Sequence, residues 1–271
     1  MADPASAALA PYRTVLASRI RAQSSYRVSF AVDLGSSLLV GLVELAEVWI
    51  LFHNVTVLGG MTFASIALVF GLADMAFALA DLAFGHCDRL PTYIRAGTLD
   101  VFYLRPQPLL AQLIASDISL RRLARCLVGA AALGYGLVAA DVQWSVATVV
   151  LLVVTFLSGC AIFSALFVCA AGLQFFLVNG AEMTNAFVYG GRYAATQPGR
   201  VWPSAIKVVF GMVFPVAFAA YLPVLRVVDL PSPPPFPGWT GWVAPLAAVW
   251  AWGLALACWR WGVRHYQGGG G

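Results

Sequence analysis

Long apolar runs separated by short polar breaks set the rhythm of this chain. A bilayer core about 30 Å thick takes about 20 helical residues rising about 1.5 Å each. Six stretches come close to that length: 29–52, 57–84, 123–140, 144–178, 204–225 and 242–262. The pattern therefore predicts an all-α integral membrane protein with six transmembrane helices. The third stretch is the shortest, and the fourth is long enough to tilt or run past the membrane surface. Pro215 and Pro223 are expected to kink the fifth, and the pair Ala130 and Gly134 to give the third a close-packing face. Ahead of the first run, Tyr12, Val15, Leu16 and Ile20 fall on one helical face with Arg13 and Arg21 elsewhere. Residues 1–28 are accordingly read as an amphipathic helix lying in the membrane interface, the alternative being a basic arm that only sets orientation. The Pro-rich segment 229–242 reads as extended, with Trp239 and Trp242 suited to an interfacial aromatic belt.

Composition narrows the class. Hydrophobic residues make up 61% of the 271 residues and charged ones 10%, against about 45–50% and about 25% in soluble domains. The expected organisation is one membrane domain, 29–267, between the 1–28 segment and a Gly268–Gly271 tail. That leaves no room for a soluble ATPase or enzyme domain. The isoelectric point near 8.9 comes with no basic run and no zinc pattern, which argues against a nucleic-acid partner. Cys87, Cys126, Cys160, Cys169 and Cys258 are scattered and read as buried small hydrophobes. A single lysine, Lys207, among abundant Ala, Gly, Arg and Pro fits GC-rich bacterial coding.

Charge then gives sidedness. On the six-span reading, the basic residues other than Arg226 fall before span one, in the loop 85–122 and its edge, between spans four and five, or at the end of span six. Positive residues accumulate on the cytoplasmic side, so both termini and the 85–122 loop are predicted to face the cytosol of a cell-membrane protein.

That loop is too long and too structured for a mere connection. Leu90, Tyr93 and Ile94 are spaced for one helical face, and Gly97 suits a helix stop. Leu99, Phe102 and Tyr103 make a second short apolar face, ended by Arg105-Pro106. A small helical knob projecting from two membrane helices is expected, built to bind something.

The stretch "YIRAGTLDVFYLRP" resembles the loop of ABC type-2 transporter permeases, with Ile94, Arg95, Gly97, Leu99, Asp100, Leu104, Arg105 and Pro106 on the family's pattern and Tyr103 where Leu is common. "VFPVAFAAYLPVLRVV" (213–228) and the tail "RHYQ" (264–267) are similar to two further family features. The resemblance implies a membrane subunit that transports nothing alone. Its partners would be two ABC ATPase subunits and a second permease, identical or related. It also implies that Leu90 to Pro106 form a cytosolic coupling helix docking on the ATPase, and that export is the common direction. Cargo would be an amphipathic drug, lipid or natural product. No P-loop pattern occurs in the chain, so no cofactor is expected on it; ATP and Mg belong to the partner.

The remaining signal is acid inside the membrane. Asp33, Glu44 and Glu47 lie roughly on one face of span one, and Asp74 and Asp81 two turns apart on span two. An Asp near a helix centre costs roughly 2.5–3.5 kcal/mol to insert, and no basic residue lies within these two spans to offset it. Glu44 and Asp74, with Asp33 and Glu47, are therefore candidates for a translocation pathway; the alternative is that the acids near helix ends reach headgroups or loop arginines. His53, His86 and His265 are too dispersed for a metal cluster, and Ser164, Gln174 and Asn179 read as interhelical hydrogen-bond formers. A proton-coupled carrier using Asp74 or Glu44, and an intramembrane enzyme, are the rival functions.

Overall fold

The computed structural model describes Ser18, Arg21 and residues 27–117, 119–177, 182, 184–234 and 236–266. The predicted interfacial helix within 1–28 lies almost wholly outside the described residues, as do Asn179 and the Gly268–Gly271 tail. Helix dominates, and no strand occurs among the described residues, as expected of a chain whose backbone groups must find partners without water. In chain order the α-helices are α1 (Arg27–Asn54), α2 (Phe63–Phe84), α3 (Leu90–Arg95), α4 (Asp100–Tyr103), α5 (Leu109–Ala115), α6 (Leu123–Ala139), α7 (Val146–Gln174), α8 (Gly190–Ala195), α9 (Ser204–Val208), α10 (Tyr221–Val227) and α11 (Ala244–His265). Two starts are capped by hydroxyls: Thr62 accepts from the Ser65 amide at 3.4 Å and Ser145 from the Thr148 amide at 3.1 Å.

Four helical stretches, built on α1, α2, α7 and α11, are long and apolar enough to cross a membrane, or five if the bent pair 204–213 and 216–227 is one span. The predicted third span is α6, 17 residues long, about 25 Å at about 1.5 Å per residue.

Helix α2 is the axis of the bundle, buried along most of its length. Glycines let its neighbour approach. A methyl group at Gly136 would lie 2.7 Å from the Leu68 amide nitrogen, and one at Gly129 would lie 2.8 Å from Met75 Cγ. The close-packing face of α6 is thus Gly129 and Gly136, and the expectation for Ala130 and Gly134 is corrected: both are exposed, and Gly134 has nothing within 4 Å of its would-be Cβ. Gly136→Leu is expected to lower stability by at least about 1–3 kcal/mol, read as a fall in melting temperature in detergent, while Gly134→Leu leaves it within error. Equal melting of the two variants would overturn this crossing. Gly172 makes the matching approach between α7 and α11, where a Cβ would meet the Cys258 carbonyl oxygen at 2.6 Å.

The fifth predicted span needs correction. At Phe214-Pro215 the helix breaks and turns by 71°, far more than a kink. Both outer ends of the pair lie at the end of the bundle that carries the 55–62 loop. Just before α9, the Arg200 and Pro198 side chains pack on Gly59; at the end of α10, Arg226 and Asp229 share a cleft with Gln143, Ser145 and Thr148. The bend itself reaches inward, with Phe214 5.1 Å from Phe187 and the Val213 carbonyl accepting from Trp250 Nε1 at 3.2 Å. The pair therefore enters and leaves at one end.

Segment 184–200, read from sequence as a loop, makes the passage instead. It starts beside the last residue of α7, where Gln174 Nε2 donates to Thr184 Oγ1 at 2.6 Å. It runs as a π-helical turn and α8 along α2, and reaches Gly59-Gly60 at Arg200. Arg192 consequently sits between the ends of the bundle, and Arg200 lies at the end opposite the 85–122 loop rather than beside it.

Candidate functional site

Two constellations carry the chemistry: a knob at one end of the bundle and a charge cluster within it. The knob begins where α2 stops. Arg122, at the start of α6, donates to the Asp81 carbonyl and places Nη1 3.0 Å from Asp81 Oδ1. Its guanidinium occupies the space a side chain at Gly85 would need, so the two ends of the loop are clasped together. Between them the expected helices form as α3 and α4, two short pieces rather than one. Gly97, at φ +65°, takes the left-handed conformation that lets Gly97 N and Thr98 N return to the Ile94 and Tyr93 carbonyls.

The motif residues divide into two groups. Leu90 and Leu99 are fully buried and hold α3 and α4 onto the bundle. Tyr93 packs edge-on against Phe102 at 5.3 Å and shares a hydrogen bond with His86 Nε2 at 3.0 Å; Ile94 is half-buried beside them. Gln112 Nε2 donates to the carbonyls of Phe102 (3.0 Å) and Gln107 (2.7 Å), fixing the return strand of the loop. On the outer side Arg95, Gly97, Val101, Tyr103, Leu104, Arg105 and Pro106 are exposed. Leu104 shows 84% of its surface and, with exposed Val101 and Tyr103, forms an apolar patch on the loop of the kind that marks interaction sites.

Asp100 is not part of that outer face. Its Oδ1 accepts from Tyr266 Oη at 2.8 Å, and the Tyr103 and Tyr266 rings stack with centroids 5.7 Å apart. Burial, with the Asp100 carboxylate as a further cause, pushes the Tyr266 phenol up to about 12, so it remains a protonated donor at neutral pH. The loop motif and the "RHYQ" tail, far apart in sequence, meet in this one contact.

The second constellation is a buried quartet. Asp74 of α2, fully buried, accepts from Arg192 Nε at 2.9 Å and from Nη2 at 2.6 Å. Glu44 of α1 takes both Arg192 terminal nitrogens, Nη1 at 2.9 Å, and accepts from Arg125 Nη2 at 3.2 Å. Arg125 Nε stands 4.0 Å from Asp74 Oδ1. The Arg192 guanidinium also lies 5.2 Å from the centre of the Phe77 ring. Two acids and two arginines from four separate passages of the chain thus balance in charge. Neither of the two spans supplies a base, as the sequence showed; the partners come from elsewhere, Arg192 from the 184–200 passage and Arg125 from the first turn of α6. The signal was available in the acids themselves, since such groups in a membrane demand counter-charges.

Asp33 and Glu47 are not brought into the quartet. Asp33 lies half-buried near the start of α1, and Glu47 faces outward one turn beyond Glu44, on a helix whose surface also exposes Leu39, Val43 and Ile50. Of the other polar residues, Ser164 Oγ donates within its own helix to the Cys160 carbonyl at 2.8 Å rather than across helices. His53 packs on Trp49 and His265 on Trp261 and Phe176, each apart from His86.

Comparison with protein families gives a match of residues 38–270 to the family described as "ABC-2 family transporter protein". Searches of curated proteins and of solved structures give no match.

Proposed function

The chain belongs to the ABC-2 transporter family and is a multi-pass membrane permease subunit of an ABC transporter; from that premise we propose that it exports an amphipathic drug, lipid or natural product. Two separate ATPase subunits supply the energy, with ATP and Mg held on them, and a second permease, identical or related, completes the pathway. The end bearing the knob faces the cytosol of the cell-membrane protein, with both termini on that side. Leu90 and Leu99 anchor the knob, Asp100 ties it to the tail, and Arg95, Leu104, Arg105 and Pro106 meet the ATPase. The observation that carries this reading is the exposure of Leu104 between Val101, Tyr103 and Arg105 on a loop whose base is clasped by Arg122. A loop fixed on its inner side and apolar on its outer side is suited to pass force from a docked partner into helices.

The outward Glu47 supports a paired permease, since a carboxylate on an otherwise apolar membrane surface is expensive against lipid. Glu44 and Asp74 act in the same reading as a brace beside the pathway. The carrier alternative needs acids free to load and release protons, and the two arginines bound to these acids weigh against it.

A photo-cross-linking residue at Val101 tests the docking. Capture of a subunit bearing a P-loop, in inside-out but not right-side-out vesicles, is the expected result. Reaction of residue 101 with reagents confined to the outside of the cell would sink the orientation and the docking together.

A further inference from the structure

Between the knob and the quartet runs one contact that belongs to neither. The turn Gly85–Arg89 joins the end of α2 to the first helix of the knob. Its Asp88 is half-buried, and Asp88 Oδ2 accepts from Tyr189 Oη at 3.0 Å. Tyr189 closes the π-helical turn Thr184–Tyr189 and precedes Arg192 by close to one helical turn. Its ring meets Phe77 edge-on with centroids 5.7 Å apart, and the Arg192 guanidinium lies 5.2 Å from the centre of the same Phe77 ring. Phe77 is fully buried, and a close-packed ring passes displacement between its neighbours rather than absorbing it. A continuous chain of contacts thus leads from the base of the knob, through Asp88, Tyr189 and Phe77, to Arg192 and the acids it holds.

We propose that Asp88 and Tyr189 are positioning residues that tie the base of the knob to the buried quartet, so that a displacement of either is felt at the other. The proposal rests on the transport reading for its purpose, since that reading docks the ATPase on the knob; the tie itself belongs to this chain alone. Its strength is adjustable. Burial pushes the Asp88 carboxyl up to about 7, with the Asp81 carboxylate adding to the rise and Tyr189, Arg122 and Arg89 opposing it. Of the other elements packed on this turn, α5 and α7 carry no charged side chain and α3 carries Arg95 on its outer side. Within the turn, His86 faces Tyr93 and Asp117, and burial pushes the Cys87 thiol up so that it stays neutral. Ionised, Asp88 accepts a charge-assisted bond from Tyr189; protonated, it accepts a weaker neutral one. The tie therefore holds above neutral pH and slackens below it.

The test follows the protonated-carboxyl band of Asp88 by infrared difference spectroscopy of the full chain in nanodiscs. The band is expected to titrate with a midpoint of about 7 and to vanish in Asp88→Asn. Tyr189→Phe, which removes the donor and keeps the ring, is expected to raise the proton affinity of Asp88 at least about threefold. Arg192→Lys, which keeps the charge and loses the fork, and Phe77→Leu are each expected to change that affinity at least about twofold. Neither should change it in the Tyr189→Phe background, because the coupling runs through that residue. In the complex purified with its ATPase, ATP and Mg with vanadate are expected to alter amide hydrogen exchange over 184–195 at pH 8. The response should be at least about threefold smaller at pH 6, and in Asp88→Asn at either pH. A midpoint indifferent to Tyr189→Phe, or to both Arg192→Lys and Phe77→Leu, overturns the proposal. So does a shift from those two that is equal with and without Tyr189, or an Asp88→Asn response matching the parent at pH 8. Capture of no ATPase, with the infrared results as expected, would remove the transport reading and leave the tie standing.

Discussion

Arg192→Met is expected to destabilise the protein by about 3–5 kcal/mol, the usual consequence of stranding a buried partner. Asp74 is fully buried and takes two hydrogen bonds from Arg192; Arg125, at 4.0 Å, is its other cationic neighbour in the quartet. Without Arg192 the cluster carries two acids and one cation. The double variant Arg192→Met with Asp74→Leu restores neutrality, leaving Glu44 and Arg125 paired at 3.2 Å. It is expected to recover at least half of the lost stability. Melting of the purified variants in one detergent decides the matter. A single variant as stable as the parent, or a double variant no better than the single, would show that the quartet contributes little.

Charge reversal at the knob should act on transport alone. Leu104→Glu with Arg105→Glu alters two exposed side chains and touches neither Leu90 nor Leu99. Membrane insertion and melting temperature should therefore hold, while ATPase association and transport fall at least tenfold, since buried like charges or an unpaired acid at an interface disfavour docking strongly. Tyr266→Phe makes the useful contrast. It removes the donor to Asp100 without altering the outer face, so association should persist while coupling between hydrolysis and transport weakens. If the double reversal leaves association intact, the docking face lies elsewhere.

Much of this architecture was legible in the chain because membrane helices obey a short list of rules. Length and apolarity placed α1, α2, α7 and α11, the spacing of Leu90, Tyr93 and Ile94 with Gly97 placed α3, and that of Leu99, Phe102 and Tyr103 before Arg105-Pro106 placed α4. The error came where those rules are weakest. Segment 184–200 is broken by Gly190-Gly191 and Pro198 and carries Arg192, so it reads as a loop, whereas 204–225 is mainly apolar beyond Lys207 and reads as a span. Tertiary pairing reversed both readings: Asp74 and Glu44 stabilise an arginine that no hydropathy pattern would admit, and Phe214-Pro215 turns an apolar run back on itself. The small-residue face of α6 was misplaced by a similar limit, because several small residues compete along that helix and only the partner's position selects Gly129 and Gly136. The link between Asp100 and Tyr266 joins two pieces of chain whose nearness the spacing of residues could not reveal.

The four-charge cluster has one mechanical consequence. It welds α1, α2, α6 and the passage around Arg192 near one level of the bundle, so sliding any of them by a turn would tear apart groups that lipid cannot solvate. Any force applied at the knob would then tip these helices as a block, because none of them can slide past its neighbours without breaking the cluster.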